Sequence, residues 1–213
     1  MPMSEEFLRF AAALFAIMNP FGNIAIFLSI TADRSAAERR RIATMTALAV
    51  LITLLVAAVL GEEILALFDI TVGSFQIAGG IIILILALSM LQAQQSGVHH
   101  SPQEEDAGKA KDNPAVFPLA IPMIAGPGSM ATVILYAQHA DGLLETATVG
   151  AVILLLSGLL LVALRLADRL SAFLGTTGLN VLTRLMGMLL AAIAVEMMVG
   201  GLTDLFPQLR RGG

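Results

Sequence analysis

The sequence has no cysteine, no tryptophan and a single tyrosine, and only 13% of its 213 residues are charged. The absence of cysteine excludes a disulfide framework and a thiolate metal site. The absence of tryptophan leaves no aromatic cage in any apolar run, so there is little room for a large substrate. The scarcity of charge is sharper still. A soluble domain carries about 25% charged and about 45–50% apolar residues, whereas this chain is 57% hydrophobic. Its twelve Lys and Arg lie mostly in three short clusters between long apolar runs. The net charge of −4 therefore speaks of loops rather than of a nucleic-acid partner. No nucleotide-binding loop, Ser/His/Asp constellation or paired carboxylates are present, so the chain is expected to be neither an enzyme nor a cofactor or metal carrier.

A spanning helix needs roughly 20 mostly apolar residues. Six runs meet that standard: Phe7–Ile30, Ile42–Leu60, Ile70–Leu91, Ala115–Gln138, Thr146–Leu166 and Leu179–Leu202. The expectation is an all-α integral membrane protein, one transmembrane domain over 1–213. The start, Met1-Pro-Met-Ser-Glu-Glu6, is acidic and the run behind it is long, which predicts no cleavable signal peptide. The stretch Gln92–Asn113 is charged and unperiodic and predicts a mobile loop. Ala167–Thr177 is expected to form an interfacial helical turn or a plain loop.

Lys and Arg set orientation. Arg34, Arg39, Arg40 and Arg41 follow span one, Lys109 and Lys111 follow span three, and Arg165, Arg169 and Arg184 surround the last linker. These must share a side. The opposite loops hold Glu62, Glu63, Asp69, Asp141 and Glu145 without a basic residue. The basic side is thus expected to be cytoplasmic, with both termini outside.

Span one contains Met18-Asn-Pro-Phe-Gly-Asn-Ile-Ala-Ile-Phe-Leu28, and span four contains Ala125-Gly-Pro-Gly-Ser-Met-Ala-Thr-Val-Ile-Leu135. Each sets a proline among small or polar residues near mid-span. Phe75-Gln-Ile-Ala-Gly-Gly80 and Thr183-Arg-Leu-Met-Gly-Met188 recur at nearly the same offset, about half the chain. This predicts two three-span repeats, about 1–92 and 114–213, joined by the loop 93–113. An odd number of spans per repeat inverts the second, as in many secondary transporters.

Proline inside a helix removes a donor and clashes with the preceding turn. Non-helical backbone at membrane depth survives only inside protein or beside a wet cavity. Pro20 and Pro127, with Gly22, Gly126 and Gly128, therefore predict that helices 1 and 4 are broken at mid-membrane. The half-helix after each break would aim free N–H groups at the centre, a seat for a carboxylate. Asn19, Asn23, Ser129 and Thr132 add neutral donors and acceptors. A zwitterion suits that pattern. Simple proline kinks are the plainer alternative.

The set Asn19-Pro-Phe-Gly-Asn23, Arg39–Arg41, Phe75-Gln-Ile-Ala-Gly-Gly80, Pro118-Leu-Ala-Ile-Pro122 with Ala125-Gly-Pro-Gly128, and Thr183-Arg-Leu-Met-Gly187 resembles the MarC family over nearly the whole chain. That family includes the SnatA-type neutral amino acid transporters. The resemblance implies a six-span inner-membrane protein. For the SnatA branch it implies proton-linked transport of small neutral amino acids such as glycine and alanine. Glu196 departs from the family pattern, which has an amide there, and this leaves coupling and substrate preference open.

Glu196 is the only acidic residue well inside a span. A carboxylate there is expensive against lipid, so it is expected to face the interior and carry a coupling proton, or else to sit near the outer surface. Gln76 and Arg184 occupy equivalent places in the two repeats and could support the broken backbones; Arg184 could equally snorkel to the interface. Gly79, Gly80 and Gly187 predict close helix packing. His99, His100, Glu104, Glu105 and Asp106 read as chance charges in a loop. Thr44, Thr46, Thr53, Ser74, Ser89 and Ser157 are expected to satisfy themselves on their own helices. The leading expectation is alternating-access transport of a small neutral amino acid with a proton or other coupling ion, in a bilayer, as a monomer or an oligomer. A LysE-like exporter, a channel and a non-transporting scaffold are the alternatives.

Overall fold

The computed structural model describes residues 3–91, 114–140 and 142–208, and every regular element in it is a helix. The expected loop around 92–113, with its histidines and acids, lies outside the described residues. The first apolar run forms α1 (Met3–Met18) and α2 (Pro20–Ile30), divided at Asn19. Proline at the first position of α2 has no N–H to leave unpaired and a φ already set for a helix.

Helix α3 (Ala36–Leu67) starts on a capping box. The Ser35 hydroxyl accepts from the Glu38 amide at 3.3 Å, and the Glu38 carboxylate accepts from the Ser35 amide at 2.8 Å. Two orphan donors are thereby satisfied at once. At 32 residues the helix is about 48 Å long, longer than a hydrocarbon core of about 30 Å. It therefore runs past the expected end at Leu60 and carries the exposed Glu62 and Glu63 on its last turns. Helix α4 (Val72–Leu91) follows after a tight turn.

The fourth run departs from an ordinary helix on both sides of its break. Segment α5 (Ala115–Ile124) is wound wide, with the Leu119 amide bonding the Pro114 carbonyl at 3.3 Å and the Ala125 amide bonding the Ala120 carbonyl at 2.8 Å. Phe117 (φ −126, ψ 124) and Ile121 (φ −127, ψ 125) are extended. Each stands immediately before a proline, where the ring disfavours the helical region. Helix α6 (Pro127–Gln138) then begins after Gly126. Helix α7 (Leu143–Arg165) leads into α8 (Ala167–Leu205), which is interrupted by Gly175 at φ 61. The linker expected as an interfacial turn is thus helical from Ala167 to that glycine.

Five segments are long and apolar enough to cross a membrane: Phe7–Ile30, Ala36–Leu67, Val72–Leu91, Leu143–Arg165 and Thr177–Leu205. The sixth expected span, 115–138, is divided into α5 and α6, and neither piece alone has crossing length. The exterior is strongly apolar, with Val59, Leu67, Leu143 and Leu154 well exposed. So much exposed hydrocarbon is costly in water and neutral in lipid.

Helices consecutive in the chain contribute little to each other's packing. Helix α3 packs on α7, α6 and α5 rather than on α4, and α4 packs chiefly on α8. The α4–α8 seam is built from small residues. A Cβ on Gly201 would lie 2.5 Å from the Gly73 carbonyl, one on Gly80 2.8 Å from the Ala194 carbonyl, and one on Gly187 3.1 Å from the Ala87 carbonyl. As α4 is followed upward from Gly73 to Ala87, its partners run down from Gly201 to Gly187, so the two helices are antiparallel. Small residues at every second turn let the backbones touch, and van der Waals packing of this kind drives helix association in lipid. The expected packing role of Gly80 and Gly187 takes this form, while Gly79 faces Ala131 of α6 instead.

Candidate functional site: two chain breaks beside a cavity

Both chain breaks are closed by the same device. The Asn23 side-chain amide donates to the Met18 carbonyl at 2.8 Å and to the Asn19 carbonyl at 3.0 Å. The Ser129 hydroxyl donates to the Ile124 carbonyl at 2.8 Å. In each case a polar side chain in the first turn after the break reaches a carbonyl five residues back, which the interrupted helix would otherwise leave bare.

The two helix starts then differ. Asn19 is held in the left-handed region (φ 42, ψ 61), and its side-chain oxygen accepts from the Gly22 amide at 3.2 Å. Asparagine is among the few residues that take this conformation at modest cost. Helix α2 thus caps itself. Helix α6 has no side-chain cap, so the first-turn N–H groups at Gly128 and Ser129 and the positive end of the helix dipole have no side-chain acceptor. Both residues are buried. A Cβ on Gly128 would lie 2.8 Å from Ile83 and 3.5 Å from Ile17, so apolar side chains of α4 and α1 close over this helix start. The Thr132 hydroxyl donates to the Gly128 carbonyl at 3.0 Å and approaches the Met197 sulfur at 3.9 Å. In the first half, the Asn19 amide approaches the Met90 sulfur at the same 3.9 Å.

A cavity of about 560 Å³ opens one turn beyond Gly128. Its lining includes Arg9 from α1, Gln76 from α4, Thr132 and Tyr136 from α6, and Glu196 and Met197 from α8. A second cavity of about 250 Å³ shares Gln76, Leu135 and Tyr136 and is also lined by His139, Thr203 and Asp204. Together they outline a route from the C-terminal ends of α6 and α8 to Thr132, one turn beyond the start of α6. Gln76 is 9% exposed, and its side-chain oxygen has no hydrogen-bond partner among the described residues. The Asn23 side-chain oxygen is likewise buried and unpartnered. Two bare acceptors in the interior are costly unless something donates to them.

The expected site residues fall into two groups. Asn19, Pro20, Gly22, Asn23, Gly126, Pro127, Gly128 and Ser129 sit at the two breaks, apart from the cavity lining. Thr132, Gln76 and Glu196 line the cavity. Glu196 is exposed into this region rather than enclosed. Arg184 is exposed on α8, and neither it nor Gln76 bonds a broken backbone among the described residues. Thr44 and Ser89 bond their own helices at 2.8 and 2.9 Å, but the buried hydroxyls of Thr46 and Ser157 have no partner among the described residues, against expectation. Arg9 and Tyr136 were not among the expected site residues. The one signal was that the chain's single tyrosine stands a turn after Thr132.

Two of the basic clusters, those around Arg39 and Arg165, meet at one end of the bundle. Arg39 pairs with Asp168 at 2.9 Å, and the Arg165 guanidinium donates to the Thr44 hydroxyl at 3.0 Å. This joins the start of α3 to the end of α7 and the start of α8.

A helical chain with five apolar segments of crossing length and a largely hydrocarbon exterior is an integral, multi-pass membrane protein. The family model for MarC family integral membrane proteins matches residues 4–206, and the chain belongs to that family. It is 40% identical over 200 residues to the membrane protein YvbG of Bacillus subtilis, covering 92% of this chain and 94% of that one. It is 34% identical over 203 residues to the membrane protein YhcE of Escherichia coli, covering 95% and 94%. A membrane protein of Methanocaldococcus jannaschii is 36% identical over 198 residues, covering 93% and 96%. No solved structure matches the chain.

Proposed function

We propose that the protein is a secondary transporter of small neutral amino acids, built as two inverted three-span repeats and working by alternating access across the inner membrane. The observation that carries this reading is the cavity between the repeats. It draws Arg9 and Gln76 from the first repeat and Thr132 and Glu196 from the second, and it lies a turn from the uncapped start of α6. That start offers N–H groups to a carboxylate. The bare oxygen of Gln76, which lines the cavity, offers an acceptor to an ammonium group. No charged side chain is needed for the substrate's own side chain, which favours glycine- or alanine-like solutes.

Six crossings are supported by contacts between distant helices. If the segment 115–138 did not cross, the end of α7 would lie on the opposite side from the start of α3. The Arg39–Asp168 and Thr44–Arg165 contacts favour the same side. The antiparallel seam of α4 and α8 favours the same count, since a missing crossing would make them parallel.

The repeat has a register. Pro127 follows Pro20 by 107 positions (127 − 20), as do Gly187 and Gly80 (187 − 80), Ala194 and Ala87 (194 − 87), and Met197 and Met90 (197 − 90); this register pairs Gln76 with Thr183 (183 − 76) rather than with the expected Arg184. That shift turns the Gly80–Ala194 contact into the Gly187–Ala87 contact. An exchange of this kind is what a two-fold axis in the membrane plane produces. The two methionines each receive a polar side chain from the break in their own half.

Proteoliposomes loaded with the protein are expected to take up glycine or alanine saturably and to respond to a pH gradient. Absence of flux for every amino acid, with the fold intact, contradicts the transporter and leaves a scaffold. Glu196 is assigned the coupling proton because it is the acidic side chain of the large cavity. Glu196→Gln is expected to flatten the pH dependence of uptake while retaining downhill exchange. An unaltered pH profile would remove Glu196 from coupling.

A further inference from the structure

At the end of the bundle away from Asp204, a cleft of about 330 Å³ is lined by Arg40, Arg165, Leu166 and Arg169. The three guanidiniums come from the second turn of α3, the last residue of α7 and the first turn of α8. No carboxylate is among the lining residues. The nearby Asp168 is committed to Arg39, which also donates to the carbonyls of Thr31 at 3.0 Å and Ala32 at 3.0 Å. Arg39 is therefore the structural arginine of this region, and the other three are gathered without a counter-ion among the described residues. Arg40 and Arg169 have no ion-pair partner among the described residues. Arg165 is steered by its bond to Thr44, which fixes one edge of its fork.

Like charges brought together repel, and a fold that holds three of them around one hollow leaves that hollow strongly favourable for an anion. A guanidinium fork matches two phosphate oxygens at once. The surroundings select among phosphate carriers. Leu166 is part of the cleft wall. Leu48 and Ile52, one and two turns beyond Thr44, and Val162, a turn before Arg165, are each about half exposed. An apolar track therefore leads from the cleft along the outside of α3 and α7, as acyl chains attached to a phosphate would need.

We propose that this cleft binds the phosphodiester headgroup of an anionic phospholipid, with its chains along the α3–α7 face. Basic hollows between spanning helices at the polar edge of a bilayer suit such headgroups. The proposal is independent of the transport reading.

The test is a titration of the purified full chain in detergent with phosphatidylglycerol, phosphatidylcholine or inorganic phosphate. Binding is followed by native mass spectrometry and by thermal unfolding. Phosphatidylglycerol is expected to bind saturably and raise the unfolding temperature. Phosphatidylcholine is expected to do neither, and inorganic phosphate is expected to compete only weakly. In Arg40→Gln/Arg169→Gln the affinity for phosphatidylglycerol is expected to fall roughly 30-fold. Arg40→Lys/Arg169→Lys, which keeps the charge and loses the fork, is expected to fall between. Equal binding of phosphatidylglycerol and phosphatidylcholine would overturn the proposal. So would equal affinity of wild type and the glutamine variant, or inorganic phosphate binding as tightly as the lipid, which would make the cleft a soluble-anion site. If the glutamine variant does not fold, the three-ligand comparison on the wild type decides alone.

Discussion

Gly201→Leu is expected to separate α4 from α8 and to abolish a stable, monodisperse protein, whereas Gly158→Leu is expected to be silent. A Cβ on Gly201 would sit 2.5 Å from the Gly73 carbonyl, 2.8 Å from the Ile77 side chain and 3.2 Å from the Ile77 amide. Two of those three neighbours are backbone, which cannot swing aside. Forcing atoms into a packed seam costs typically 1–3 kcal/mol, and here the strain spreads along a seam that also closes at Gly80 and Gly187. At Gly158 an added Cβ meets nothing, and surface changes of that kind stay within about ±0.5 kcal/mol. Thermal unfolding in detergent, together with size-exclusion profiles, checks both. Equal behaviour of the two variants would mean that the seam does not hold the bundle together.

Gln76→Leu is expected to move stability and transport in opposite directions. The buried oxygen of Gln76 has no partner among the described residues, and its amide nitrogen is packed where a Cβ on Gly200 would come within 2.6 Å. Replacing an unpartnered polar group by an apolar one of similar shape is neutral or stabilising. The unfolding temperature should therefore hold or rise. If the oxygen receives the substrate's ammonium group, the lost charge-assisted bond is worth about 1.5–3 kcal/mol, which is roughly 10- to 100-fold in uptake efficiency. A merely structural glutamine would show the reverse, with lower stability and unchanged uptake per folded molecule. Parallel melting and proteoliposome uptake distinguish them.

Much of the architecture could be read from the residues because membrane spans announce themselves by length. The break at Asn19-Pro20 was legible for the same reason that it exists: proline starts a helix better than it continues one. The wide winding of 115–124 was also written in the chain, at Phe117-Pro118 and Ile121-Pro122, where the residue before each proline turns extended. Pro118 and Pro122 belong to the motif set that carries the family resemblance, but only Pro127 was expected to break this span. What could not be read was which face of each span is buried. Leu54 is fully buried and Leu155 is 59% exposed, yet both are leucines in unbroken apolar runs. Lipid is as apolar as a protein core, so no polar stripe marks the outside.

The site was legible only in part. Glycine and proline marked the breaks because backbone chemistry is local. The self-capping of α2 by Asn19 depends on a left-handed conformation at one residue, and nothing in Asn-Pro-Phe-Gly distinguishes that from a kink. The cavity is further from reach. It joins Arg9 to Glu196 and Gln76 to Thr132, residues from four helices that only the crossing of the two halves brings together. The arginine cleft is a similar case: the basic residues were legible as markers of one side, and their convergence on a single hollow was not.

The central claim is that the chain crosses six times, with the second half inverted relative to the first. Because it has no cysteine, single cysteines can report sidedness without background. Asp33→Cys lies just before α3 and Leu143→Cys at the start of α7, both at exposed positions. Labelling with a membrane-impermeant maleimide, in right-side-out and in inverted vesicles, is predicted to place the two on opposite sides of the membrane. Labelling of both from the same side would mean that the segment 115–138 does not cross, and the inverted repeat would fall with it.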